Sequence, residues 1–231
     1  MRYYAVKVGK VPGIYNTWDE CKANVDKFSG AKFKSFDTLE EAEAFLGIKK
    51  EPSFDFGRYD AIAYTDGSYN PSTGISGYGM VLFIRLDRYS AEEAARFSVG
   101  TLGRDGKKTF KCEVSNDGAY AKVTGYEAQG DMEANKMRNV AGEILAVEEC
   151  VKIAGWMGVR SLLIRHDYIG ISEWVEGRWQ ANNPYTVAYR DNITGAMLED
   201  NMTIDFEHVK AHDGNTYNEE ADKLAKAAVG V

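Results

Sequence analysis

Residues 61–65, AIAYT, alternate small and aromatic side chains and stop against Asp66. The alternation predicts a strand. Gly67-Ser68 and Asn70-Pro71 behind it predict tight-turn chemistry. A carboxylate fixed where a strand meets a turn sits on a rigid element at an open rim, where open α/β sheets carry their chemistry. Asp-Gly is also an ordinary turn signal, so the reading depends on whether other carboxylates converge on Asp66.

Three can. SLLIRHD (161–167) predicts a buried strand ending in Asp167, the same arrangement as Asp66. Val140, Ile144, Val147, Val151 and Ala154 form one apolar stripe, predicting a helix from Met137 to Trp156 with Glu143 beside the stripe near its N-terminal end. NEEADKLAKAA (218–228) predicts a last helix, capped by Asn218, with Ala221, Leu224, Ala225 and Ala228 turned inward and Asp222 bordering that face. Singly, each acid has a bland reading: a solvated helix residue, a helix N-terminal charge, a turn cap. Together they occupy two strand ends and two core-bordering first turns. In a β-β-β-α-β-α-β-α order these points can meet at one rim. Four converging carboxylates repel unless cations neutralise them, and hard oxygen ligands select Mg²⁺ or Mn²⁺. Two such ions about 4 Å apart support in-line phosphodiester displacement.

The remaining elements fit around this set. GYGMVLFIRL (77–86), AYAKVTGYEA (119–128) and TIDFEHV (203–209) predict strands, and ISEWVEGRW (171–179) a helix carrying Trp174 and Trp179. Residues 87–118 contain the helical turn SAEEAARF, the strand-like KTFKCEVS and the turn NDG, and read as an extra β-excursion at one edge. Before Tyr59, residues 48–58 (IKKEPSFDFGR) read as a short linker.

The first 47 residues read as a small domain of order β-β-α-β-α. The strands are RYYAVKVG, GIYNTW and KFKSF (32–36). Thr17 with Glu20 caps a helix carrying Cys21, Val25 and Phe28. Thr38 with Glu41 caps a second, Leu39 to Leu46, ended by Gly47. Tyr4, Trp18 and Phe33 accompany Lys22, Lys32 and Lys34. Aromatic faces beside ammonium groups suit stacking next to phosphates, although the same rings could simply build a thin core.

Net charge narrows the partners less than its distribution does. The total of −7 argues against nucleic acid, but residues 1–50 carry nine Lys and Arg against seven Asp and Glu, and the rest 19 against 28. A mildly basic head on an acidic body fits a charged partner at the head and cations in the body. Cys21, Cys112 and Cys150 lack paired spacing, which disfavours a disulfide framework or zinc site and fits a reducing, cytoplasmic setting. No apolar run approaches a membrane span, and MRYYAVKVGK has no signal-peptide core.

The run YYAVKVGKVPGIYNTWDECKANVDKFSGAKFKSFDTLEEAEAFL resembles the hybrid-binding (caulimovirus viroplasmin-like) domain at the N-terminus of many type 1 ribonucleases H. TDGSYN, RNVAGE, IRHDY and VKAHDGNTYNEEADKLA resemble, in order and setting, the catalytic domain of the same family. The resemblance implies an α/β fold: a ribonuclease H-like mixed five-stranded sheet flanked by helices over 59–231, with the insertion at about 87–118. A small α+β hybrid-binding domain over 1–47 and a linker over 48–58 precede it. It implies an endoribonuclease cutting the RNA strand of RNA/DNA hybrids with two Mg²⁺ ions, Mn²⁺ as a substitute, leaving 5′-phosphate and 3′-hydroxyl ends. By position, Asp66 would bridge both metals and Asp222 complete the water-activating site. Glu143 and Asp167 would hold the second metal, and His212 would shuttle protons or help product leave. Asn139 would read ribose 2′-hydroxyls, with the Gly67 and Ser68 backbone against the same strand. Tyr4, Trp18, Phe33 and Lys34 would grip the duplex; double-stranded RNA is a second candidate partner of this head.

The chain departs from the family at Ser35, where a second basic residue is common, and at Tyr168-Ile169, where a serine and a polar residue are. Trp174, Trp179, Asn183 and Thr186 fall where relatives track the DNA strand, in a region with few lysines. A monomer with no membrane partner is expected. The competing readings are a hybrid or double-stranded RNA binding protein with a dormant nuclease domain, and an integrase-like nuclease on the same fold. The complete set of carboxylates with His212 disfavours the first, and the helix carrying Asn218 and Asp222 the second.

Overall fold

In the computed structural model the chain forms two compact units, Met1–Asp55 and Phe56–Val231. The structure describes residues 2–47, 54–90, 92, 94, 101–102, 110–210 and 215–231.

The first unit contains β1 (Tyr3–Val8), β2 (Gly13–Tyr15), α1 (Trp18–Val25), β3 (Lys32–Phe36) and α2 (Leu39–Leu46). Its antiparallel sheet has the order β2-β1-β3. Both expected caps form. Thr17 Oγ1 accepts from the Glu20 N–H at 3.3 Å, and the Glu20 carboxylate accepts from the Thr17 N–H at 3.1 Å. Thr38 Oγ1 accepts from the Glu41 N–H, and Gly47 ends α2 in the left-handed region at φ 79°. Helix α1 stops at Val25, so Phe28 lies in the turn beyond it rather than on the helix. Ala5, Val6, Cys21 and Ala42 are buried, a core as thin as so short a segment allows.

The second unit is built on a sheet of order β10-β9-β4-β5-β8-β7-β6. Its strands are β4 (Ala61–Asn70), β5 (Ile75–Arg85), β6 (Thr101–Leu102), β7 (Phe110–Val114), β8 (Tyr120–Ala128), β9 (Ser161–His166) and β10 (Thr203–His208). Strands β4, β9 and β10 run parallel, while β5 and β8 join antiparallel. These five are the expected mixed sheet. Strands β6 and β7, from the excursion after Leu86, extend it at the β8 edge. Of that excursion, residues 91, 93, 95–100 and 103–109 lie outside the described residues.

The helices of this unit that bear on the site are α3 (Asn139–Trp156), α4 (Gly170–Val175), α5 (Pro184–Glu199) and α6 (Thr216–Val229). The predicted start at Met137 is corrected. A 3₁₀ turn over Ala134–Met137 precedes α3, and Arg138, at φ 56° and ψ −129°, interrupts the two. Asn218 is not the cap of α6. The helix begins two residues earlier, and Asn215 Oδ1 accepts the N–H groups of Tyr217 and Asn218. Trp179 lies beyond the end of α4. Helix α5 was not anticipated: only Thr186, Tyr189 and Ile193 are buried, too narrow a stripe to stand out among Arg190, Asp191, Asn192 and Thr194. Asn183 and Thr186, expected near the DNA strand, form its capping box.

The first strand also differs at its end. Asp66 is not terminal and Gly67-Ser68 is not a turn, because β4 continues to Asn70 and pairs Asp66 with Gly79, Gly67 with Tyr78 and Ser68 with Gly77. The glycine serves a close approach. A Cβ on Gly67 would lie 2.6 Å from the Glu143 nitrogen of α3 and collide with the Asn139 carbonyl. One on Gly79 would lie 2.8 Å from Leu224 Cβ and collide with the α6 backbone. Neighbouring strand residues point to opposite faces, so α3 and α6 press on β4 and β5 from opposite sides. Asp66 shares the α6 side with Gly79.

Candidate active site

This double approach assembles the site. Asp66 is 8% exposed and its Oδ1 accepts the Gly67 N–H at 2.7 Å. Glu143, 3% exposed, enters from the first turns of α3. Asp167 follows the last residue of β9, which is paired in parallel with β4. One carboxylate oxygen each from Asp66, Glu143 and Asp167 lie within 4.8 Å of one another. Asp222, from α6, is half-buried and lines the same cleft of about 260 Å³ with Gly67, Ser68, Asn139, Asn218 and Lys226. Lys226 Nζ donates to Asp222 Oδ2 at 2.8 Å.

Burial pushes the Asp66 carboxyl up to about 7, with the charges of Asp167 and then Asp222 adding to it. Burial, then Asp66 and Asp167, hold Glu143 well above the usual carboxylate range. Glu143 Oε2 is buried without a hydrogen-bond partner. A converging set of hard oxygens, one of them orphaned, fits a divalent cation of the Mg²⁺ class and supplies no soft ligand.

The cleft also gathers the other candidates of this unit. Gly67 and Ser68 line it from β4, and Asn139 lines it one turn before Glu143. His212 lies outside the described residues. Trp174 is buried against Tyr168 and Tyr189, while Trp179 is 43% exposed.

Two histidines that sequence reasoning passed over flank Asp167. His166 is the last residue of β9, fully buried, and its Nδ1 lies 2.9 Å from the Tyr168 carbonyl oxygen. Burial pulls its pKa down to about 4, so the ring is neutral. His208, its register partner on β10, has Nε2 2.9 Å from the Asp167 carbonyl oxygen. Their placement at matched ends of two parallel strands was the only available signal.

In the first unit Tyr4, Trp18 and Phe33 form a ring row with centroids 5.8 and 5.9 Å apart. Trp18 and Phe33 are 44% and 41% exposed. Lys34, next along β3, places its ammonium 5.3 Å from the Phe36 ring, which packs on Phe45.

A converging carboxylate trio beside the central strand of a mixed sheet, with Glu143 buried and helices pressing from both faces, is an arrangement of the ribonuclease H-like class. The RNase H family model matches residues 110–230, more than half of the chain, which therefore belongs to the ribonuclease H family. The Ribonuclease H1 N-terminal domain model matches residues 2–46. Ribonuclease H1 of Mus musculus is 29% identical over 252 residues, covering 97% of this chain and 88% of the mouse protein. Ribonuclease H of Saccharomyces cerevisiae is 53% identical over 45 residues, 20% of this chain and 13% of the yeast protein. Among solved structures, the N-terminal RNase H domain of rv2228c from Mycobacterium tuberculosis is similar in fold, with a TM-score of 0.50 at 17% identity, covering 74% of this chain and 94% of that one.

Proposed function

We propose that this ribonuclease H hydrolyses the RNA strand of RNA/DNA hybrids endonucleolytically, leaving 5′-phosphate and 3′-hydroxyl ends. The reading is carried by the convergence of Asp66, Glu143 and Asp167, with a buried Glu143 oxygen left unpartnered. Asp66, Glu143, Asp167 and Asp222 would hold two Mg²⁺ ions, with Mn²⁺ able to substitute. When bound, such ions activate a water nucleophile and neutralise charge on the leaving oxygen.

The chain's own groups do the rest. The Gly67 and Ser68 backbone, which lines the cleft, lies along the RNA strand. Asn139, on its lip, offers an amide to the ribose 2′-hydroxyl, the group that tells RNA from DNA. Lys226 keeps the Asp222 carboxylate turned along α6 by their hydrogen bond. His212 would shuttle protons or help product leave. Residues 1–47 act as a hybrid-binding head, residues 48–58 as a linker and residues 59–231 as the nuclease.

Cleavage of an end-labelled hybrid tests this. Mg²⁺-dependent cuts confined to the RNA strand are expected, with duplex DNA left intact. Tight hybrid binding without cleavage at any divalent cation concentration would instead identify a binding protein.

A further inference from the structure

Asp167 has no regular structure to hold it, since β9 ends one residue before it. Its carboxylate must nevertheless face Asp66 and Glu143. We infer that His166 and His208 together clamp the Asp167–Tyr168 backbone and so aim the Asp167 carboxylate. The inference rests on the reading of the carboxylates as cation ligands.

A carbonyl oxygen only accepts, so each imidazole nitrogen facing one must carry the proton. His166 therefore donates Nδ1–H to the Tyr168 carbonyl at 2.9 Å, and His208 donates Nε2–H to the Asp167 carbonyl at 2.9 Å. The two carbonyls belong to successive residues, so the Asp167–Tyr168 and Tyr168–Ile169 peptide planes are both fixed. The histidines are themselves fixed as a pair. They are register partners across parallel strands, and their ring centroids lie 5.9 Å apart. The Val209 N–H donates to the His166 carbonyl at 2.9 Å and closes the same corner.

His166 is the more telling member. It is fully buried, and with Nδ1 as donor its Nε2 is an acceptor without a partner. Leaving such an atom unsatisfied is costly, so packing alone would favour an apolar ring at this position. The Nδ1 hydrogen bond is what an apolar ring could not supply. Neither histidine reaches the reacting atoms; both are positioning residues.

Calorimetric titration of the full chain with Mn²⁺, without nucleic acid, reads the clamp directly. His166→Phe and His208→Phe keep a ring and remove the donor. Each should weaken Mn²⁺ binding about threefold, and the double variant about tenfold, the lower end of the roughly 10–100-fold range seen when groups behind a metal ligand are lost. His166→Asn and His208→Gln each restore an N–H near the lost one and should bind within about twofold of the parent. The Mg²⁺ concentration for half-maximal cleavage should move with them.

Asp167→Asn is the control. If it leaves Mn²⁺ binding unchanged, the reading of the carboxylate site fails. If it weakens binding while both Phe variants bind like the parent, the clamp is wrong and the site stands. Should either Phe variant not fold, His208→Gln against the shorter His208→Asn makes the same comparison, and equal Mn²⁺ affinities overturn the clamp.

Discussion

The backbone nitrogen of Glu143 lies 2.6 Å from the point where a Cβ on Gly67 would sit. Strand β4 and the first turn of α3 therefore touch backbone to backbone, and this contact delivers Glu143 to Asp66. Gly67→Ala should push α3 away from the strand. Overpacking of this kind costs about 1–3 kcal/mol, readable as a lower melting temperature. The catalytic loss should exceed the stability loss, since a misplacement of about 1 Å can cost on the order of a hundredfold in rate. Rates measured where the variant is fully folded separate the two effects, and a folded Gly67→Ala enzyme with parental turnover would show that the contact does not set the site.

The raised pKa of Asp66 makes stability depend on pH and metal together. Its folded value of about 7 lies above the ordinary 3.8, so the metal-free fold binds more protons than the unfolded chain across that window. Its contribution is fully present below about 4 and is lost as pH rises through 7. Metal-free protein should thus lose stability on the order of 4 kcal/mol between pH 4 and 8 from this carboxylate. Mg²⁺ should reverse the loss, and increasingly so at high pH, because it binds the ionised form. Asp66→Asn should flatten the metal-free profile. Thermal melts at stepped pH, with chelator and with Mg²⁺, give all three curves; a metal-free protein that gains stability over this range would contradict the assigned direction.

Asp66→Asn should also abolish turnover while leaving hybrid affinity within a few fold, because it alters the cation ligands and spares the nucleic-acid surface. Binding measured by anisotropy beside cleavage at saturating Mg²⁺ is sufficient. Parental turnover in this variant would remove Asp66 from the mechanism.

Much of this was legible because strong local signals agreed with the tertiary result. Alternation gave β4 and the apolar stripe gave α3. The Thr17/Glu20 spacing gave α1, and Glu143, Asp167 and Asp222 near element ends pointed to the cleft, although Asp66 itself lies within β4. What was illegible depended on contacts distant in sequence. Gly67-Ser68 reads as a turn locally, and only its pairing with β5 makes it strand, while the approach of α3 calls for the glycine. Arg138 carries no mark of its positive φ. Asn218 reads as a cap until Asn215 takes that place, after which Asn218 is buried beside the cleft. His166 and His208 become a pair only through the parallel register of β9 and β10.

The head offers the last test. Trp18 and Phe33 are about two-fifths exposed, though large enough to fill a core, and they extend the ring row begun by Tyr4. Rings kept this exposed stabilise their own domain little and are available for stacking. Removing such a stacking ring costs about 1–3 kcal/mol of nucleic-acid binding. In a Trp18→Ala, Phe33→Ala double variant the loss should fall below the sum, because the linker converts head binding into an intramolecular event of finite effective concentration. The penalty should be large on long hybrids and small on hybrids too short to engage head and nuclease together. It should shrink with added salt if Lys34 and its neighbours contribute phosphate contacts, since those are screened first. A chain lacking residues 1–50 should behave like the double variant, as all four carboxylates lie after Tyr59. Steady-state cleavage against hybrid length for the parent, the double variant and the truncated chain decides the matter. Three superimposable curves would mean that the ring row does not bind substrate.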